Sequence, residues 1–152
     1  MRSLGRVGHL AAGAVGPPGR RIFYLEVGSA EDRECFLLEK EQVAALAAHG
    51  LELAGAEAGG GPGPSPGPPG EPTFRVAEIG LGTDGDEIVV LLSPADGPEP
   101  VAFTVPAEVF AAMARQALEV VAAGRPPCRL CGLPLDPDGH ACPGGNGDLR
   151  RR

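Results

Sequence analysis

The sequence predicts an α+β fold: two strand-strand-strand-helix units form an antiparallel sheet with both helices on one face, and a small ribbon-like segment follows. Three observations predict it. Runs rich in β-branched and aromatic residues are bounded by turn signals; the same order of elements recurs when the chain is slid by 66 residues; and three of the four cysteines crowd into positions 128–142.

In the first unit, Arg6 to Val15 reads as a strand, Gly16-Pro17-Pro18-Gly19 as a turn and Arg21 to Val27 as a second strand. Glu34 to Leu38 follows as a third. The spacing of Val43, Leu46, Ala47 and Leu51 predicts a helix from Glu39 to about Ala48, with Gly50 as its stop. In the second unit, Thr73 to Leu81 is a strand, Thr83 to Asp86 a hairpin turn carrying an Asp-Gly pair, and Glu87 to Ser93 a buried strand. Val101 to Thr104 is the third strand. Pro106 is expected in the first turn of a longer helix whose Val109, Phe110, Met113, Ala117, Leu118 and Val121 face the core, closing at Gly124. At this offset Gly16 falls on Gly82, Ile22 on Ile88, and Gln42-Val43 on Glu108-Val109.

Between the units lies GGGPGPSPGPPGEP, Gly59 to Pro72, which offers little to bury and many prolines that cannot donate ladder hydrogen bonds. It reads as an irregular or polyproline-like connector. The organisation that follows is an α+β domain over 1–124 with a flexible Gly/Pro-rich insertion at 57–72, a ribbon-like segment at 125–148, and a disordered tail at 149–152.

At 152 residues the chain fits one modest domain with a small appendage. A formal net charge of -7 argues against a surface that binds polyanions throughout, because such affinity comes from Lys and Arg neutralising phosphates. No apolar run is long enough for a transmembrane helix. The glycines of the first eighteen residues dilute any secretory signal, so a membrane association is not expected and the cytoplasm is.

The chemistry concentrates in Cys128-Arg-Leu-Cys131-Gly-Leu-Pro-Leu-Asp-Pro-Asp-Gly-His140-Ala-Cys142. Cys128 and Cys131 have the two-residue spacing that brings two thiolates to one metal. His140 and Cys142 are one residue apart, and alternate residues of an extended strand point the same way, so this pair can converge on the same ion. Pro134, Pro137 and Asp138-Gly139 read as turns that return the chain to the first pair. Soft thiolates with one imidazole select zinc, and four protein ligands leave no open position for water. The expected cofactor is therefore a structural Zn2+ held by Cys128, Cys131, His140 and Cys142. Three cysteines at metal-ligand spacing also fit a reducing compartment.

These residues carry a resemblance. Arg125 to Pro143 with Asn146-Gly147, the stretch Ala12 to Arg21 continuing through Phe23-Tyr24-Leu25, and Leu38 to Val43 look like the signatures of an actinobacterial family catalogued as domain of unknown function 3090. The resemblance covers nearly the whole chain outside the Gly/Pro tract. It implies a cytoplasmic, zinc-binding protein and carries no activity. The chain departs from the family pattern before Arg6, where only a short segment precedes the first strand, and after Pro143, where Gly144 and Asp148-Leu149 stand.

Other positions have plainer readings. Gly13-x-x-Gly16-Pro-Pro-Gly19 lacks the lysine and hydroxyl of a phosphate loop and reads as a hairpin turn, with Arg20 and Arg21 the candidate anion-binding pair. Cys35 reads as a buried structural thiol, His9 and His49 as surface histidines, and Glu26, Glu39, Glu41, Asp84 and Asp86 as solvated edges and turns. From Arg125 onward five arginines face three aspartates, a basic end on an acidic protein. The function expected is a non-catalytic interaction or adaptor module with an unknown protein partner. The alternatives are an enzyme using the sheet face or an unsaturated zinc, and nucleic-acid binding through the basic ribbon.

Overall fold

The computed structural model describes residues 1–17, 19–29, 31–55 and 63–123. Its elements are β1 (Arg2–Arg6), β2 (His9–Val15), β3 (Ile22–Gly28), β4 (Arg33–Leu38), α1 (Lys40–Ala54), β5 (Pro72–Arg75), β6 (Glu78–Asp84), β7 (Glu87–Ser93), β8 (Val101–Pro106) and α2 (Ala107–Ala122). The architecture is α+β, and each half of the chain runs through four strands and a helix.

The strands form two four-stranded sheets, in the orders β1-β8-β7-β6 and β2-β3-β4-β5, where the sequence predicted one antiparallel sheet. The difference arises at the start of each half. Of the stretch read as one strand from Arg6 to Val15, β2 takes only His9 to Val15, while Arg6 ends a separate strand, β1, that begins at Arg2; the stretch from Thr73 to Leu81 divides between β5 and β6. At Val7-Gly8 the chain leaves the sheet of β8 and enters that of β3, with the Val7 amide donating to Thr104 and the Gly8 amide to Gly28. Val76-Ala77 repeats the step in the opposite sense, the Val76 amide donating to Leu37 and the Ala77 amide to Ser93. Both valines are buried, so each switch is anchored by an apolar side chain. The halves thus exchange their first strands: β1 lies parallel beside β8, and β5 lies parallel beside β4. All other pairings are antiparallel.

Alternation in β3, β4, β7 and β8 sends Phe23, Leu25, Val27, Phe36, Leu38, Ile88, Val90, Leu92, Val101, Phe103 and Val105 into one shared core. The helices complete it through Val43, Leu46, Ala47, Phe110, Met113, Ala114 and Ala117. The start of α1 is fixed by Gln42, whose Oε1 accepts the Glu39 amide at 2.7 Å. Gly50 does not stop this helix. It is buried within it, facing the Phe110 ring, and the helix ends at Gly55, whose positive φ of 89° glycine adopts without strain. Pro106 precedes α2 as its cap, and Leu118, expected on the core face, is 40% exposed.

Candidate functional site

The four residues expected to hold zinc, Cys128, Cys131, His140 and Cys142, lie outside the described residues. The described chain does fix the point from which that segment departs. Arg21, on the β2-β3 turn side, donates from one guanidinium nitrogen to the carbonyls of Val120 and Ala123, the former at 2.9 Å. A cation on the last carbonyls of a helix complements both the unpaired acceptors and the macrodipole. The same guanidinium stands 5.3 Å above the Phe23 ring. Arg21 therefore ties the end of α2 to the sheet, whereas Arg20 beside it is exposed. The two arginines of the candidate anion site are in different surroundings and are not brought together by any contact.

Among the described residues the densest polar cluster lies on the face of β2-β3-β4-β5 that points away from the core. Successive residues of β3 alternate faces, so Tyr24 and Glu26 lie opposite Phe23, Leu25 and Val27. Both are nonetheless buried, because residues 63–71 of the Gly/Pro tract cross this face. Gly67 is the fastening point. The Tyr24 hydroxyl donates to its carbonyl at 2.6 Å, and its amide donates to Glu26 Oε2 at 3.0 Å. Glu26 Oε1 accepts from His9 Nε2 at 3.0 Å and from Arg33 at 3.2 Å. Glu26 is only 6% exposed, so its reading as a solvated edge residue is corrected. A buried carboxylate persists when its lone pairs are met, and here three donors meet them. His9 is half-buried in the same network and is not a free surface histidine.

Cys35 stands directly across from Glu26 in the β3-β4 register and is buried, as the sequence predicted. Burial pushes its thiol up from the ordinary 9.0, partly offset by a hydrogen bond from the Gly70 amide, while nearby Glu26 pushes it up further. Burial also raises the Tyr24 phenol above its usual 10.0, with Glu26 and Cys35 contributing. Both shifts keep these groups protonated, the reverse of what an activated nucleophile needs.

At the neighbouring end of β4, Glu34 accepts two hydrogen bonds from Arg2, at 2.7 and 2.6 Å, and one from Thr73 at 3.0 Å. The Arg2 hydrogen bond holds the Glu34 carboxyl below its ordinary range. The fork joins β1, which belongs to one sheet, to β4 in the other. The remaining acids read as solvated, Glu39, Glu41, Asp84 and Asp86, are exposed, as is His49.

Sequence reasoning missed the Glu26 cluster because nothing in the tract's composition shows that it lies down on a sheet. A signal was present in Phe23-Tyr-Leu-Glu-Val27. A tyrosine and an acid on the alternate face of an otherwise apolar strand can both be buried only if something covers them with polar groups.

Comparison with known proteins gives one match: the family described as "Protein of unknown function (DUF3090)", over residues 3–56 and 65–142. The chain belongs to that family. The matched regions take in both halves of the fold and all four Cys/His positions, and leave out 57–64 within the Gly/Pro tract. No curated protein and no solved structure matches the chain.

Proposed function

We propose that this member of the DUF3090 family is an actinobacterial, cytoplasmic interaction module in which a two-sheet body presents a C-terminal segment clipped by a structural zinc. The observation that carries the reading is the join between the two. The end of α2 is fastened to the sheet by Arg21, and the Cys128-x-x-Cys131 pair begins only a few residues after Ala123. A metal clip at that point needs no core of its own, since ligand binding supplies the folding free energy of so short a segment. Three Cys thiolates and one imidazole suit zinc, and a filled tetrahedron leaves no site for a reacting water.

The polar groups of the body support a non-catalytic role. The Glu26 carboxylate is engaged by three donors, Cys35 and Tyr24 are held protonated, and Glu34 is committed to Arg2 and Thr73. Neither Cys35 nor Tyr24 is thereby set up as a nucleophile beside a free base, which is the arrangement that covalent catalysis uses. No helix among the described residues is long and apolar enough to cross a membrane.

The test is capture of partners by the reduced, zinc-supplied protein and by a Cys128→Ser, Cys131→Ser form of the same chain. The proposal expects the intact protein to retain partners that the double variant loses while its body stays folded. Identical partner sets for the two forms would refute the role given to the clip.

A further inference from the structure

We infer that the free edge of β6 is a docking site for an extended, basic peptide segment of a partner protein, which joins the sheet as an added strand. This gives a surface to the interaction role proposed above and rests on that reading.

The fold contains an internal control. The strand corresponding to β6 in the first half is β2, also at a sheet edge. Its edge is closed by a side chain: Gln116 of α2 accepts the Ala12 amide at 2.9 Å and donates to the Ala12 carbonyl. On β6 the position corresponding to Ala12 is Leu81, which pairs with Val90 as Ala12 pairs with Leu25. The two-residue turn Gly85-Asp86 makes Asp84 and Glu87 a hydrogen-bonded pair, and alternation from there turns the amides and carbonyls of Thr83, Leu81 and Ile79 away from β7. Among the described residues nothing bonds to these three. Counted from the helix caps Glu39 and Pro106, Gln116 corresponds to His49 of α1, which is exposed and makes no bond to β6 among the described residues.

Two further features of β6 suit a partner strand. Gly80 and Gly82 have no positive φ, and a Cβ at Gly82 would meet nothing within 4 Å, while one at Gly80 would make an ordinary contact with Leu91 at 3.5 Å. Neither glycine is needed for the fold, in contrast to Gly13 on β2, where a Cβ would lie 2.3 Å from the Tyr24 ring. They leave the sheet low beside the edge, where long side chains of an added strand could lie. The hairpin is also held in place, since the Asp86 carbonyl accepts the Ala107 amide at 3.0 Å.

Charge selects the occupant. Glu78 and Asp84 stand exposed at the two ends of β6, with Asp86 beyond, while Arg6 at this end is paired with Glu87. A second copy of β6 pairing antiparallel about Leu81 would set Glu78 against Asp84, and like charges directly opposite are destabilising. A strand with arginine or lysine at every second position instead places cations beside both acids.

The experiment uses the full chain with a fluorescein-labelled, end-blocked (Arg-Val)3 peptide as probe and (Glu-Val)3 as control. The expected result is saturable binding of the basic peptide alone, with hydrogen exchange slowed at the Ile79, Leu81 and Thr83 amides. Thr83→Pro removes one outward amide at an exposed edge position, where proline is tolerated, and Glu78→Lys with Asp84→Lys reverses the charge; each should weaken binding about tenfold or more with circular dichroism unchanged. Binding that leaves those amides unprotected, or that survives both variants, overturns the proposal. So does a concentration-dependent dimer in sedimentation that Thr83→Pro abolishes, which would make a second copy the occupant. Any of these results leaves the zinc-dependent capture untouched, so the two readings fail separately.

Discussion

The Phe110 ring of α2 occupies the space in which Gly50 of α1 would carry a side chain: a Cβ at Gly50 would lie 1.7 Å from Phe110 Cε1. The two helices approach closely there because one has no side chain and the other fills the gap with a fully buried ring. The helix cost of a central glycine is only about 1 kcal/mol, so its place in α1 reflects packing. Gly50→Ala, which would stabilise an isolated helix, is expected to destabilise this protein by about 2 kcal/mol or more, through overpacking. Urea denaturation reads the effect, and Gly50→Ala combined with Phe110→Leu should be less damaging than the two separate losses added together.

The Gln116 clamp on Ala12 closes an edge that would otherwise present an unpaired amide and carbonyl beneath α2. Gln116→Ala leaves both without their partners, and should cost about 1–3 kcal/mol in urea denaturation. Its more specific signature is faster hydrogen exchange at the Ala12 amide, with the core strand β3 protected as before.

Glu34 gives stability an acid dependence with a definite sign. Its folded pKa lies below the ordinary 4.5, so its contribution is complete above that value and is lost as pH falls through the folded pKa. Arg2 is 40% exposed at its side chain, so screening limits the pair to about 1 kcal/mol. Glu34→Gln should lower stability at neutral pH by that amount and flatten the decline below pH 4.5, measured as thermal midpoints across the acid range.

The Gly/Pro tract is held down by Tyr24 and Glu26 through one residue, Gly67. Tyr24→Phe removes the phenol and keeps the ring over Gly13, so it should cost roughly 1 kcal/mol and increase cleavage of residues 63–71 by an unspecific protease. The phenol's raised pKa adds an alkaline signature. Stability credited to Tyr24 is present below its ordinary 10.0 and lost as pH rises through the higher folded value, and Tyr24→Phe should remove that part of the alkaline decline.

Much of the body was legible in the chain. Apolar alternation in Glu87 to Ser93 and in Phe23 to Val27, and the helical spacing from Val43 onward, reflect local periodicities that packing then uses. The two-sheet arrangement was not, because a switch between sheets at Val7-Gly8 keeps the strand pattern on both sides and shows only in which partner each half meets. Gly50 misled for a related reason. A glycine after a helical run is usually a stop, and only the distant Phe110 makes it an interior contact. The Glu26 cluster depends on a tract more than forty residues away that carries no periodicity to read. The proposed zinc ligands rest on local spacing alone, since the reading of Cys128, Cys131, His140 and Cys142 refers to the chemistry of thiolate and imidazole and to no other part of the fold.

The proposed zinc clip stands or falls with the zinc content of the purified, reduced chain. About one zinc per chain is expected, reduced to well under half an equivalent by Cys128→Ser while the far-ultraviolet circular dichroism of the body is kept. Less than about half an equivalent in the unaltered protein, with no further loss on Cys128→Ser, would contradict it.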